Sequence, residues 1–304
     1  MGSLLIAGPT ASGKSALALQ LAGRLPGAVI VNCDSMQVYR DLSVITARPD
    51  ADDMGRAEHL LYGHRDGAFL YSMAQWRDEV REVLASTRDV PKIFVGGTGL
   101  YFRMLTEGIS PIPDVPDDVR EDVRSRMAQL GAPALHKELD QVMADQLSPT
   151  DSQRVARALE VLLATGKSLA DWQALPPDGG LLSFDPERAV VFAPPRDWLE
   201  LRIRQRGAQM LSDDALEEVR ALADRNLSAD LPVMRAIGVS VVRAYVLGEM
   251  SHGEALESLS VQTRRYAKRQ GTWFRGQMGH WPRFDPSVND MPLLVERMAK
   301  SLGF

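Results

Sequence analysis

Short, almost uninterrupted apolar runs punctuate the first hundred residues. Leu4-Leu5-Ile6-Ala7, Ala28-Val29-Ile30-Val31 and Pro91-Lys92-Ile93-Phe94-Val95 do not alternate with polar residues. That is the pattern of strands buried on both faces of a parallel sheet. The stretch Ser15-Ala16-Leu17-Ala18-Leu19-Gln20-Leu21-Ala22 is rich in strong helix formers and predicts a helix after the first strand. Each strand runs into polar or glycine-rich residues: Gly8–Ser15, Asn32-Cys33-Asp34-Ser35 and Gly96-Gly97-Thr98-Gly99. Ligands of open α/β sheets gather at the carboxyl ends of the strands. These three segments are therefore expected to face one site.

The pattern changes at the proline-rich joint Ile109-Ser110-Pro111-Ile112-Pro113-Asp114-Val115-Pro116. From about 117 to 175 no strand pattern recurs. Leu135, Leu139 and Val142, then Val155, Ala158, Leu159 and Leu162, fall at helical spacing. The loop Pro176-Pro177-Asp178-Gly179-Gly180 closes this region, Ala189–Ala193 reads as a return strand, and the remainder from Arg196 is mainly helical. The expected fold is α/β: a parallel-sheet core over 1–116 and 186–304, with helices on both faces, and a helical insertion domain over 117–185.

Composition narrows the setting. The chain has 304 residues, 45% hydrophobic and 25% charged, as expected of a soluble globular protein. No apolar run approaches the roughly 18 residues of a membrane span. The first strand reaches Gly8 too soon for a secretory leader. One cysteine, Cys33, permits neither an intrachain disulfide nor a thiolate-rich zinc site. A cytoplasmic location is the resulting expectation. The net charge of −5 argues against nucleic-acid binding through bulk charge, though not against a local basic patch.

Gly8-Pro9-Thr10-Ala11-Ser12-Gly13-Lys14-Ser15 matches G-x-x-x-x-G-K-[ST] in full. In such a P-loop, glycines let backbone N–H groups converge on phosphate oxygens, and the helix that follows adds its positive end. Lys14 supplies a point charge and the Ser15 hydroxyl is placed to hold Mg²⁺. The motif specifies a phosphate, not a particular phosphate compound. Asp34, closing the second strand, is positioned to accept a proton from an acceptor group, or to cap a helix or form a turn. Thr98, in its glycine turn, can bond a phosphate oxygen or serve the turn alone. A motor-type P-loop protein would carry an Asp after an apolar strand to hold Mg²⁺; Ile93-Phe94-Val95 runs into Gly-Gly-Thr instead. Two enzyme classes stay open, a small-molecule kinase and an enzyme for which diphosphate is the leaving group. A regulatory RNA-binding protein without chemistry is a third reading.

Arg264-Arg265-Tyr266-Ala267-Lys268-Arg269-Gln270-Gly271-Thr272-Trp273-Phe274-Arg275 interleaves cations and aromatics with no acid. That is the character of surfaces that grip unstacked bases and phosphates, or of a solvated helix face over a buried Trp. Gln153 and Arg157 share a helical face. Arg202, Arg204 and Arg206 flank an apolar face expected from Leu201, Ile203 and Met210, and either reach a phosphate or are solvated. The five histidines show no metal-binding spacing, and Trp76, Trp172 and Trp198 are expected in the core.

Taken together, these stretches resemble the bacterial tRNA dimethylallyltransferases. The resemblance rests on Gly8–Ser15, Asp34–Tyr39, Gly96–Tyr101, Asp151–Glu160 and Lys268–Trp273, in the family's order along nearly the whole chain. It implies transfer of a dimethylallyl group to N6 of the adenosine 3′ of the anticodon, in tRNAs reading codons that begin with U. Gly8, Pro9, Thr10, Ala11, Ser12, Gly13, Lys14 and Ser15 would bind dimethylallyl diphosphate, with Mg²⁺ at Ser15. Asp34 would be the general base and Thr98 a contact to diphosphate and acceptor. Arg206 would be a further catalytic contact to the diphosphate, with Arg202 beside it. Asp34, Ser35, Met36 and Gln37, then Arg120, then Gln153, Arg154, Val155, Ala156 and Arg157 would touch the anticodon stem-loop. So would Lys268, Arg269, Gln270, Gly271, Thr272, Trp273, Phe274 and Arg275. The sequence departs from the family at Arg235–Ser240, where Val239 and Ser240 stand in place of a Tyr and an Arg. The implied partners are tRNA and dimethylallyl diphosphate, with no membrane, and a monomer is expected.

Overall fold

The computed structural model describes residues 2–304. The chain divides into two compact units, Met1–Thr106 with Leu182–Phe304, and Glu107–Leu181.

Six parallel strands build the first unit: β1 (Ser3–Ala7), β2 (Val29–Asn32), β3 (Glu58–Leu60), β4 (Lys92–Gly96), β5 (Ala189–Phe192) and β6 (Arg283–Phe284). Their order is β3-β2-β4-β1-β5-β6, with Ala7 paired to both Gly96 and Val191. The near-continuous apolar runs are explained by burial on both faces. Leu4, Ile6, Ile30, Ile93, Val95, Val190 and Phe192 join one cluster with the helices Lys14–Arg24 and Met291–Lys300. The alternate residues Leu5, Val31, Phe94 and Val191 are buried on the other face, where the helices Met73–Ser86 and Gly99–Thr106 contribute Trp76 and Phe102. The expected strands appear within a residue of their predicted ends. The short edge strands β3 and β6 were not predicted: two or three residues are too few to show a period, and β3 carries charge.

A second cluster seats the segment after β2. Val38, Tyr39, Leu42 and Ile45 pack against Met210, Val219, Val242 and Leu259. The helices involved are Arg196–Gln209, Asp213–Asp224, Val239–Val246 and His252–Gln277. Burial of this segment holds the chain that leaves Asp34 in one path.

The second unit is all helical, as expected, with helices Asp117–Leu130, Ala132–His136, Gln141–Gln146, Ser152–Thr165 and Leu169–Gln173. Its core contains Leu135, Leu139, Val155, Ala158 and Leu159. Val142 was placed there by spacing but is 52% exposed, and Met143 takes the inward position. The proline joint belongs to this unit rather than to the sheet core, because Ile112 and Val115 pack into the helical core. At the other end, Leu182 N–H donates to Leu105 O, which returns residues 182–185 to the sheet unit.

Candidate active site

β1 delivers Gly8 to the carboxyl end of the sheet, and the chain then turns back on itself before the helix Lys14–Arg24. The turn needs left-handed backbone at Ala11 (φ 61°) and Gly13 (φ 90°). Gly13 meets this without the cost a Cβ imposes, whereas Ala11 carries that strain. No side chain caps the helix at Gly13, so its first N–H groups are available to an anion at the positive end of the dipole. The Ser12 hydroxyl is buried without a hydrogen-bond partner. Lys14 Nζ donates to Pro9 O at 3.2 Å, folding the ammonium over the loop. Ser15 sits exposed in the first helical turn.

Two arginines reach the loop from the helix Arg196–Gln209. Arg206 Nη1 donates to Thr10 Oγ1 at 2.6 Å and Nη2 to Ile45 O at 3.2 Å, while its buried Nε has no partner. Arg202 Nε donates to Ala11 O at 3.1 Å, with the guanidinium over the Trp198 ring. Leu201, expected inward, is 62% exposed; Ile203 and Gly207 make the buried face.

Asp34 is set by its neighbours. The Asn32 side chain is buried, accepting Asp34 N–H at 2.8 Å and donating to Asp34 O at 2.9 Å and Leu61 O at 3.0 Å. Trp76 Nε1 donates to Asn32 O at 2.9 Å. Asp34 Oδ1 accepts Met36 N–H at 3.0 Å, a turn that uses one oxygen of the carboxylate. Thr98 Oγ1 accepts Ser35 N–H at 3.0 Å, and Thr98 N–H donates to Cys33 O, so the end of β4 clamps the end of β2. Gly96 permits that approach, since a Cβ there would overlap the Cys33 carbonyl.

Lys14, Asp34 and Arg206 share one electrostatic environment. Burial lowers the Lys14 pKa to about 8, the charge of Asp34 opposing the drop and that of Arg206 adding to it. Burial also lowers the Arg206 pKa, again opposed by Asp34. Two partly buried cations and a carboxylate around a glycine loop form a site with excess positive charge. It suits a phosphate ester and supplies a base at its margin. Tyr266 stands in the same field, its hydroxyl held protonated by burial and by the charge of Asp34.

The chain matches the IPP transferase family model over residues 37–277 and the isopentenyl transferase model over residues 1–66. It is 51% identical to a tRNA dimethylallyltransferase of Nitrobacter hamburgensis, covering 91% of this chain and 88% of that relative. It is 50% identical to one of Mesorhizobium japonicum, covering 93% and 89%. It belongs to the tRNA dimethylallyltransferase family. Among solved structures, the tRNA isopentenylpyrophosphate transferase of Bacillus halodurans has 31% identity and a TM-score of 0.67, over 99% of this chain and 96% of that one. A eukaryotic dimethylallyltransferase acting on tRNA, at 24% identity, TM-score 0.75 and coverage of 99% and 77%, shares the fold. These relatives do not favour the kinase reading.

The residues that the family resemblance assigned to RNA divide by burial. On the helix His252–Gln277, Lys268, Arg269, Thr272 and Arg275 are exposed, while Gly271 and Trp273 are half-buried. Gln270 and Phe274 are corrections to the expected contact surface. Gln270 is 7% exposed and Phe274 1%, because positions 267, 270 and 274 form the inward stripe of this helix. Trp273 lies against Gly99, where a Cβ would strike its ring. Arg264, on the same helix, pairs with Glu200 at 2.9 Å. Of the loop after Asp34, Ser35 and Met36 are half-buried, and Gln37 Nε2 donates to Thr46 O and Ala47 O at 2.9 and 2.8 Å. In the helical unit, Arg120 lies 3.7 Å from Asp117, Arg154 3.6 Å from Asp151 and Arg157 3.5 Å from Glu160. Gln153 is exposed and Ala156 half-buried. Val155 is fully buried in that unit's core, a correction that follows from the helical stripe it shares with Ala158 and Leu159. At the departure from the family, Val239 packs in the core while Ser240 is exposed.

A cavity of about 530 Å³ lies beside Pro9, lined by Phe192, Arg196, Lys268 and Arg275 among others; its lining includes neither Asp34 nor Lys14. Glu218 escaped sequence reasoning, and the segments that contain Asn32 and Tyr266 showed neither the orienting role of Asn32 nor the place of Tyr266 near Asp34. Glu218 accepts N–H groups from Ser43, from Val44 at 3.2 Å and from Ile45 at 2.9 Å, fixing the carbonyl that Arg206 uses. No local motif marks a carboxylate whose partners lie about 175 positions away.

Among the described residues no helix is long and apolar enough to cross a membrane, and no cluster of His, Cys, Asp or Glu suits a metal.

Proposed function

We propose that the chain transfers the dimethylallyl group of dimethylallyl diphosphate to N6 of the adenosine 3′ of the anticodon. The acceptors are tRNAs reading U-starting codons, and the products are N6-(dimethylallyl)adenosine and diphosphate. Family membership supports the reaction. The observation that carries the site is that two cations converge on the P-loop, Arg206 Nη1 donating to Thr10 Oγ1 at 2.6 Å and Lys14 Nζ to Pro9 O at 3.2 Å.

The exocyclic amine is a weak nucleophile because its lone pair is delocalised into the ring. Asp34 accepts the N6 proton as the C–N bond forms. The allylic carbon tolerates positive charge, so the C–O bond to the diphosphate breaks early and its electron pair stays on the leaving group. Lys14, Arg206 and the loop N–H groups stabilise that charge, each such donor contributing about 3 kcal/mol. The unpartnered Ser12 hydroxyl and Arg206 Nε fit an anion seated there. The Ser15 hydroxyl, with diphosphate oxygens and water, would hold Mg²⁺, a hard-oxygen set suited to it; when bound, the ion neutralises leaving-group charge. The target base leaves the anticodon-loop stack at a cost of a few kcal/mol, offset by contacts to the exposed cations Lys268, Arg269 and Arg275 and to Trp273. Arg120 and Gln153–Arg157 hold the stem-loop from the helical unit. The enzyme acts as a cytoplasmic monomer.

Incubating the protein with U-reading tRNA and labelled dimethylallyl diphosphate, without ATP, tests this. Label in N6 of the anticodon-adjacent adenosine is the expected result. ATP-dependent phosphorylation of a small molecule, with no label in tRNA, would overturn it.

A further inference from the structure

The Gln270 side chain joins two segments that the chain separates widely. Its Oε1 accepts Thr10 N–H at 2.9 Å, and its Nε2 donates to Gly97 O at 2.9 Å. Both bonds are buried, and the residues bridged lie 260 and 173 positions away. One amide thus ties the P-loop, at the residue that also receives Arg206, to the turn that carries Thr98. The site asks for one acceptor and one donor at fixed separation, which a planar primary amide supplies at any pH. Gly97 matches it, because a Cβ there would collide with Gln270 Nε2.

We infer that Gln270 is a positioning residue for the donor. It sets the P-loop and the Gly97–Thr98 turn in register so that the diphosphate meets a preformed cradle, and it makes no contact with RNA. The inference rests on the proposed transfer reaction and deepens its donor site. The loop must hold left-handed backbone at Ala11, and a loop under such strain keeps its shape only where its surroundings fix it. Thr10 N–H and the Thr10 hydroxyl, both one residue before Ala11, are two of its fixed points, held by Gln270 and Arg206, and Arg202 holds the Ala11 carbonyl itself.

The test compares wild type, Gln270→Ala and Gln270→Glu. Gln270→Ala leaves a buried donor and acceptor unpaired, and the donor KM is expected to rise about tenfold with tRNA KM unchanged. Gln270→Glu keeps the acceptor for Thr10 N–H but, when ionised, sets a carboxylate oxygen against the Gly97 carbonyl. Burial raises its pKa, and the protonated acid restores a donor. The donor KM of Gln270→Glu relative to wild type should therefore fall as pH is lowered, while the same ratio for Gln270→Ala stays flat. Calorimetric titration with inorganic pyrophosphate reads the same loss without turnover. It separates this inference from the transfer reaction, since wild type that binds pyrophosphate but labels no tRNA would sink the reaction alone. An unchanged donor KM and pyrophosphate affinity in Gln270→Ala, a raised tRNA KM in its place, or parallel pH behaviour of the two variants would overturn the positioning role. If Gln270→Ala fails to fold, the pH dependence of Gln270→Glu decides.

Discussion

Removing the Arg206 guanidinium separates its structural work from its electrostatic work. Arg206→Ala loses a 2.6 Å bond to Thr10 Oγ1 and a 3.2 Å bond to Ile45 O, each costing about 1–3 kcal/mol when the partner stays buried. Against that, the variant no longer buries a cation whose desolvation is evident in its lowered pKa. The two effects oppose, so the net destabilisation should fall below the sum of the two lost bonds. The kinetic effect is larger, because the charge acts on a leaving group whose negative charge grows in the transition state. Loss of one such donor costs about 3–4 kcal/mol, or 10²–10³ in rate. Single-turnover assays with preformed tRNA complex and labelled donor read that step directly. A second signature follows from the coupling of the two cations. The charge of Arg206 helps to lower the Lys14 pKa, so its removal lets that pKa rise. The alkaline fall in kcat/KM should then move above about pH 8. Arg206→Lys keeps a charge but not the two-pronged grip, and should recover the alkaline limb without recovering the full rate. A single-turnover rate in Arg206→Ala within about threefold of wild type, or an alkaline limb that does not move, would refute the assignment.

Asp34→Asn removes the base without changing the size of the side chain, and turnover should drop by about 10²–10⁴ while tRNA affinity measured by filter binding holds. Lys14 carries its charge below its pKa of about 8 and loses it above. In wild type, kcat/KM for the donor should therefore fall as pH rises through that value, and kcat less so, because bound diphosphate retains the proton; a flat profile to higher pH would count against the charge. Glu218→Ala frees the N–H groups of Ser43, Val44 and Ile45, and hydrogen exchange there should accelerate while thermal stability falls by about 1–3 kcal/mol.

The sequence alone determined whatever depends on neighbours along the chain. β1, β2, β4 and β5 were legible because a strand buried on both faces must be apolar at every position. The P-loop was legible because glycine, lysine and hydroxyl must lie at fixed spacing on one turn. The helical insertion followed from its period. Asp34 and Thr98 were placed by a rule about strand ends rather than by any contact of their own. Tertiary structure decided whatever depends on residues far apart in the chain. Sequence could present the segment 264–275 as basic and aromatic, but only packing shows that Gln270 and Phe274 face inward while Lys268, Arg269 and Arg275 face water. Spacing placed Val142 and Leu201 inside, yet short helices and their ends rotate with the packing around them, and both are exposed. Glu218 carried no signal, and the segments that contain Asn32 and Tyr266 did not reveal their individual roles, since a hydrogen bond or a field between distant residues leaves no trace in local composition. The strand edges β3 and β6 exist because a neighbour offers unpaired backbone groups, a condition set by the sheet and not by their own residues.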